Sequence, residues 1–276
     1  MPDSPLIALG PPIASGRTAE IFAWGEGYIL KLTRADFPSI LADQEWQNAQ
    51  IAWQSGARAP KPIEILDVAG RRGVVFDRVD GPSMAQCMRG APLRIREYAR
   101  QLAGLHVELH TISAPALPSQ HQRVAWNLGR SAFLPEPLKA AVYQLAAKLP
   151  DNDTICHGDF HPENILLTER GPVIIDWEGC MHGSPAADVA ATCLLVRSAL
   201  RVPKGLNGWV IRQIGQLFER AYLAEYARLA PGRLEQLEAW TAVLAACRLQ
   251  ADNQHEREYL LPMVEAFFNR NAPNMP

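Results

Sequence analysis

Short apolar runs, broken every few residues by glycine, serine or charge, open the chain. Ile13–Ala14, Ala19–Ala23 and Tyr28–Leu32 are separated by Ser15-Gly16-Arg17 and by Trp24-Gly25-Glu26-Gly27. Both breaks suit tight turns, because glycine reaches backbone angles closed to other residues. Two further strand candidates, Ile63–Val68 and Gly73–Val79, flank Ala69-Gly70-Arg71-Arg72, which reads as a turn. Between the two sets, Ser39–Gln54 contains neither glycine nor proline and stops at Ser55-Gly56, which predicts a helix with a glycine stop. Three strands, a helix and two strands imply an antiparallel sheet with one packed helix.

After Asp80-Gly81-Pro82 the texture becomes helical. Ile95, Tyr98, Leu102, Leu105 and Leu109 recur at spacings of three and four, an amphipathic stripe. A proline-rich loop at Ser113–Ser119 precedes a helix candidate at Glu136–Leu149. Ile165–Thr168 and Val173–Asp176 read as short strands around Glu169-Arg170-Gly171-Pro172, the second apolar enough to be buried on both faces. The remainder is helical, with stripes Ile211/Ile214/Phe218/Ala221 and Leu234/Leu237/Trp240/Leu244. The texture changes near residues 79–82, so the expected division is a β-rich lobe over residues 1–80 and a helical lobe over 81–276.

Composition narrows the function. The 276 residues carry 27 basic and 29 acidic side chains, a net charge of −2, and offer no basic excess for wrapping nucleic acid. The longest apolar stretch, Val189–Val196, stops at Arg197, far short of a bilayer span. The opening MPDSPLIALGPP has neither a basic region nor a continuous apolar one, so it does not read as a secretory signal. The five cysteines are Cys87, Cys156, Cys180, Cys193 and Cys247, an odd number with no CxxC pair, which fits reduced thiols in the cytoplasm.

The chemistry concentrates in ICHGDFHPENILL, residues 155–167, followed by IIDWE, residues 174–178. His157, Asp159 and Asn164 form HxDxxxxN, and Asp176 follows an apolar strand. A carboxylate and an amide converging on one cleft can hold Mg²⁺ through oxygen while it bridges phosphates. A further carboxylate can orient an attacking hydroxyl and accept its proton. Taken singly, these Asp and Asn residues are ordinary turn formers; the joint spacing makes the catalytic reading the stronger one. His157 and His161 with Cys156, Cys180 and His182 invite a zinc reading, but Gly158 and Pro162 oppose the regular helix that HxxxH needs.

These motifs resemble the catalytic loop and metal-binding motif of the aminoglycoside phosphotransferase and choline kinase family, small-molecule kinases of the protein-kinase-like fold. His157-Gly158-Asp159 and Asp176-Trp177-Glu178 match the small-molecule branch. The resemblance implies an α+β fold of two lobes: a small antiparallel β-sheet lobe with one helix, and a larger, mainly helical one. It implies Asp159 as catalytic base, Asn164 and Asp176 as Mg²⁺ ligands, and Asp188 as a brace for the catalytic loop. His157 is expected to pack inside. Leu105–His110 resembles an LxxLH helix found upstream in many members. Lys31, on the third strand, is the expected contact for the α- and β-phosphates, with Glu45 as its partner and Asp43 as the alternative. The Asp77 carbonyl and the Val79 N–H are the expected adenine contacts. Gly16 is the single glycine of the phosphate-covering loop, a departure from GxGxxG that leaves ATP and GTP both open. Glu178 divides evenly between a substrate contact and a loop cap.

The function so implied is transfer of the γ-phosphoryl group of ATP or GTP to a hydroxyl of a small molecule, with no nucleic-acid or membrane partner. From Leu206 onward, eight acidic residues face seven basic ones, no obvious surplus for gripping a polycation. Amino-alcohol and sugar acceptors therefore stay open beside aminoglycosides. The alternative from another class is a non-catalytic nucleotide-binding regulator, against which stands the presence of Asp159, Asp176 and Lys31 together.

Overall fold

A computed structural model describes residues 9–200, 206–250 and 254–271. Most of the opening segment examined for a signal lies outside the described residues. In chain order the elements are β1 (Ala14–Ser15), β2 (Ala19–Ala23), β3 (Tyr28–Thr33), α1 (Ile40–Gln54), β4 (Pro62–Val68), β5 (Arg71–Asp77), α2 (Met84–Gly90), α3 (Ile95–Leu109), α4 (Gln120–Gly129) and α5 (Glu136–Lys148). There follow β6 (Thr154–Cys156), β7 (Ile165–Thr168), β8 (Gly171–Ile174), β9 (Met181–Gly183), α6 (Pro185–Ala199), α7 (Leu206–Leu229), α8 (Leu237–Cys247) and α9 (Gln254–Asn271). They form two compact units, Met1–Gln86 with Glu163–Gly179, and Cys87–Pro162 with Cys180–Pro276.

The first unit is an antiparallel sheet in the order β1-β2-β3-β5-β4, with α1 against it and the hairpin β7–β8 beside it. Alternation in β3 sends Leu30 and Leu32 into a core with Phe22 and Val75, and leaves Lys31 on the opposite face. Gly73 makes that core possible: a Cβ there would lie 2.9 Å from the Leu30 and Leu32 side chains and from the Lys31 carbonyl.

Strand boundaries differ from expectation at both ends of β5, which runs Arg71–Asp77 and leaves Val79 outside, and in β8. Arg71 and Arg72 belong to β5, because the turn closes on Ala69 and Gly70 alone, with φ of 51° and 75°. Two successive positive φ values match the right-handed twist of a two-residue hairpin. The freed arginines then pair across the surface, Arg71 with Glu20 at 2.7 Å and Arg72 with Asp43 and Asp67 at 3.1 and 3.0 Å. Further on, β8 ends at Ile174 and leaves Val173 half-buried, so it is one strand of a small ribbon rather than a doubly buried one.

The second unit is helical, with a core that gathers Leu128, Val142, Leu194, Trp240, Val243 and Leu260 from α4, α5, α6, α8 and α9. Its one two-stranded pairing, among the described residues, joins β6 to β9. Helix α4 starts at the proline-rich loop's end, where the Ser119 side chain accepts from the Gln122 N–H. In α7 the buried stripe is Phe218, Tyr222 and Tyr226, with Ala230 buried just beyond the helix; the expected Ile211 is exposed. Leu234 lies in the turn before α8. No helix among the described residues is long and apolar enough to cross a membrane.

Candidate active site

Lys31 is reached by two carboxylates. Its Nζ lies 2.7 Å from Glu45 Oε1 on α1 and 2.7 Å from Asp176 Oδ1 beyond β8. Asp43, the alternative partner, faces Arg72 instead. Burial alone would strip the proton from Lys31, but the paired charges of Glu45 and Asp176 overcome it and raise the ammonium above the usual lysine range. Burial likewise pushes the Glu45 carboxyl up to about 7, against the pull of Lys31 and with the aid of Asp176 and Glu178. The result is a cation fixed in position, with the 40 % exposed Asp176 as its more open neighbour.

Asp176 adopts φ of 70°, one of two non-glycine residues with positive φ among those described. Aspartate tolerates this left-handed conformation better than most residues, and here it ends β8 and turns the chain at the carboxylate. Several hydrogen bonds hold the turn. The Ile175 N–H donates to the Asn164 carbonyl at 3.0 Å, and the Trp177 indole donates to the Ile174 carbonyl at 2.9 Å. From α1, the Asn48 amide donates to the carbonyls of Trp177 and Glu178 at 3.3 and 3.0 Å. Asn164 is buried at the end of a short 3₁₀ turn, Pro162–Asn164, immediately before β7. Asn164 and Asp176 thus stand at the base of one hairpin and offer an amide and a carboxylate, hard oxygen donors of the kind Mg²⁺ takes.

The remaining predicted nucleotide residues, Gly16, Asp77 and Val79, lie in turns or at a strand end in the same unit. Gly16 sits in the β1–β2 turn, its N–H bonded to the Ala19 carbonyl and its own carbonyl accepting from Arg34 Nε at 3.2 Å. Asp77 closes β5, its N–H donating to the Lys61 carbonyl at 2.9 Å; Val79 follows the strand and is half-buried. Gly81 then passes against β7 so closely that a Cβ would lie 2.5 Å from the Leu167 carbonyl oxygen.

In the second unit, Asp159 lies in the loop after β6, with its side chain 42 % exposed. Its N–H donates to His157 Nδ1 at 3.3 Å, and its Oδ2 lies 3.4 Å from His161 Nε2. His157 is fully buried. The loop hangs on Asp188, which is buried on α6. This carboxylate accepts from the N–H groups of His157 and Gly158 at 2.6 and 2.8 Å and from His106 and His110 Nε2 at 3.0 and 3.3 Å. Burial opposes the charge on Asp188, but the hydrogen bonds and charges around it, led by His106, hold it well below the usual carboxylate range. Among the described residues, His106, His110 and Asp188 form the one His/Cys/Asp/Glu group close enough to hold a metal ion; the Cys156/His157/His161/Cys180/His182 set forms none. The five cysteines are free, and burial raises the Cys156 and Cys180 thiols well above their usual range.

The structure therefore brings Lys31, Glu45 and Asp176 into contact, sets Asn164 with Asp176 at the base of one hairpin, and holds Asp159 on a braced loop. Asn48, Tyr222 and Tyr226 were not singled out from sequence as parts of either arrangement. Their signal was present only as helical spacing, which core residues share.

The model of the phosphotransferase enzyme family, APH, matches residues 10–232. The chain belongs to this family. No curated protein matches it by sequence. Among solved structures, this phosphotransferase-family chain is similar to a thermostable mutant of aminoglycoside phosphotransferase APH(4)-Ia, with a TM-score of 0.63 and 15 % identity over 95 % of the chain and 94 % of that protein. It is also similar to a choline/ethanolamine kinase family protein from Mesorhizobium loti, at 0.56 and 18 % over 95 % and 86 %. A third is aminoglycoside-3'-phosphotransferase of type VIII, at 0.60 and 20 % over 86 % and 91 %. These likenesses establish the fold: α+β, two-lobed and protein-kinase-like.

Proposed function

We propose that this phosphotransferase-family protein is a Mg²⁺-dependent small-molecule kinase that moves the γ-phosphoryl group of ATP or GTP to an acceptor hydroxyl. The observation that carries the reading is Lys31, clamped by Glu45 and Asp176 at 2.7 Å each. A buried, doubly paired ammonium is a point charge suited to phosphate oxygens. Neighbouring folds support it: an APH(4)-Ia variant forms a ternary complex with AMP-PNP and hygromycin B.

Residues 1–80 would hold the nucleotide, its phosphates on Lys31 under the Gly16 turn and its base on the Asp77 carbonyl and Val79 N–H. Residues 81–276 would carry catalysis and acceptor binding. Asn164 and Asp176 would hold Mg²⁺, and the oxygen donor set fits that ion; when bound, it would neutralise charge on the phosphates. Asp159 orients the acceptor hydroxyl and takes its proton as the new O–P bond forms and the bond to the nucleoside diphosphate breaks. The catalytic gain comes from alignment and fixed charge. These features set the catalytic reading above that of a nucleotide-binding regulator.

The test is ADP or GDP release with Mg²⁺ across a panel of aminoglycosides, macrolides, amino alcohols and sugars, with Asp159→Asn as the blank. Acceptor-dependent release that disappears in Asp159→Asn, while nucleotide still binds, is the expected result. Equal loss of nucleotide binding and turnover would remove Asp159 from the role of base. Asp176→Ala is expected to weaken Mg²⁺-dependent nucleotide binding; unchanged Mg²⁺ dependence would refute its role as ligand.

A further inference from the structure

His106 in the last turn of α3 and His110, which caps that helix, lie one turn apart, and α7 presents Tyr222 and Tyr226 at the same spacing. The Tyr222 hydroxyl lies 2.6 Å from His106 Nδ1, and the Tyr226 hydroxyl 2.7 Å from His110 Nδ1. Each ring turns its other nitrogen to Asp188 Oδ2, which also accepts the His157 N–H. An ionised carboxylate only accepts, so both Nε2 atoms carry hydrogen, and in the neutral form of each ring Nδ1 is then a bare acceptor. Buried acceptors need donors, and the two phenols supply them. With every ring nitrogen and carboxylate oxygen hydrogen-bonded, this group is complete without a metal ion.

We propose that Tyr222 and Tyr226 are positioning residues for the catalytic loop, acting through two parallel phenol–imidazole relays that converge on Asp188 and fix the backbone at His157 and Gly158. The inference rests on the reading of Asp159, the next residue, as the base. Each phenol locks its imidazole in the Nε2–H tautomer, so that both rings donate to the carboxylate that suspends the loop. Phe160, stacked on His106 at 4.0 Å, with its carbonyl accepting from Thr192 at 2.9 Å, closes the far side of the loop.

The groups facing His106 are His110 at the cap of α3, Asp188 on α6, Tyr222 and Tyr226 on α7, and His157 in the loop. Cys193 lies near Tyr222, and Cys156 and Arg233 near Tyr226. Burial, then the neighbouring His110, hold His106 neutral down to about 3, although Asp188 favours its charge. Without the Tyr222 hydroxyl, Nδ1 loses its donor and the Nε2–H tautomer of His106 loses its lock.

The experiment uses the full chain with Tyr222→Phe, Tyr226→Phe and the double variant, the single variants serving where the double does not fold. Three readouts are taken: imidazole tautomers by nitrogen-15 NMR, amide hydrogen exchange at His157 and Gly158, and turnover against pH with ATP and the acceptor found by the panel. The wild type is expected to show both rings as Nε2–H. The double variant is expected to exchange the two amides about tenfold faster and to lose about tenfold in kcat at unchanged KM for ATP. Tyr222→Phe should show an Nδ1–H form of His106 in the nitrogen-15 spectrum that the wild type lacks. Nδ1–H tautomers in the wild type, or exchange and kcat within about twofold of it in a folded variant, would overturn the proposal. Asp159→Asn separates the two readings: if it keeps turnover, the base assignment fails, while amide exchange still judges the relay.

Discussion

Replacing Asp188 by asparagine changes one oxygen into an NH₂ group and removes a charge, with almost no change in volume. In the structure Oδ1 accepts from Gly158, and Oδ2 accepts from His157, His106 and His110. Asparagine can keep its oxygen on the three-donor side, which sets its NH₂ against the Gly158 N–H, donor against donor. One charge-assisted bond to a buried donor is then lost, at about 1.5–3 kcal/mol. The three that survive become neutral bonds, about half as strong, which adds roughly 0.5–1 kcal/mol each. The sum is about 3–6 kcal/mol, close to the roughly 3–5 kcal/mol found when one partner of a buried charged network is removed. For a chain of this size that corresponds to a fall in Tm of about 10 °C. Circular dichroism on heating, with the urea midpoint as a second measure, reads it directly. A Tm within about 2 °C of the wild type would show that the loop does not depend on this carboxylate, and the brace described here would be wrong.

Acid should act through the same cluster. His106 titrates down at about 3 when folded against an ordinary 6.5, so the unfolded chain binds the extra proton and stability falls as pH drops through that window. The slope is at most about 1.4 kcal/mol per pH unit, or roughly 2 kcal/mol between pH 6.5 and 5, and Asp188 adds to the loss only below the ordinary carboxylate range. Glu45, raised to about 7, takes up a proton on folding over the same window and offsets the loss. The His106 contribution is therefore read in Glu45→Gln: its urea midpoints at three pH values should fall on acidification, and a rise contradicts the assignment. Ala69→Gly should stabilise by about 0.5–1 kcal/mol, because φ of 51° is strained for alanine; an unchanged or lower Tm goes against that. Asn48→Asp sets a carboxylate against two carbonyls in place of an amide that donates to both, and should cost more than Asn48→Ala, itself about 1–2 kcal/mol. Equal Tm values for the two would refute that account of the turn.

Local chemistry made the sheet readable, and long-range pairing hid the rest. The turns at Gly16 and at Gly25 and Gly27, and the uninterrupted run of α1, are written in neighbouring residues, so their elements emerge close to where the structure has them. The Ala69-Gly70 turn was read as four residues because two arginines look like loop; their carboxylate partners, Glu20 and Asp43, come from distant elements. Helix α4 was missed where the proline-rich stretch masked a serine N-cap. In α7 an ordinary hydrophobicity reading favours Ile211 over Tyr226, and only the histidines on α3 explain why two tyrosines are buried instead. The same holds at the candidate site. Asp159, Asn164 and Asp176 announced themselves by spacing, whereas Asn48 acts through backbone carbonyls that no sequence pattern marks.

The hairpin β7–β8 separates two demands along one short segment. At its base are Asn164 and the turn that carries Asp176; at its tip, Glu169 and Arg170 are exposed, and the Thr168 hydroxyl and the Thr168–Gly171 pairing tie the turn to the strands. The tip is therefore a natural place for a genetically encoded reporter. A short epitope or fluorophore-binding peptide inserted between Glu169 and Arg170 would lengthen the loop at small entropic cost. It would sit one strand's length from the oxygen donors and could report on their occupancy without touching them.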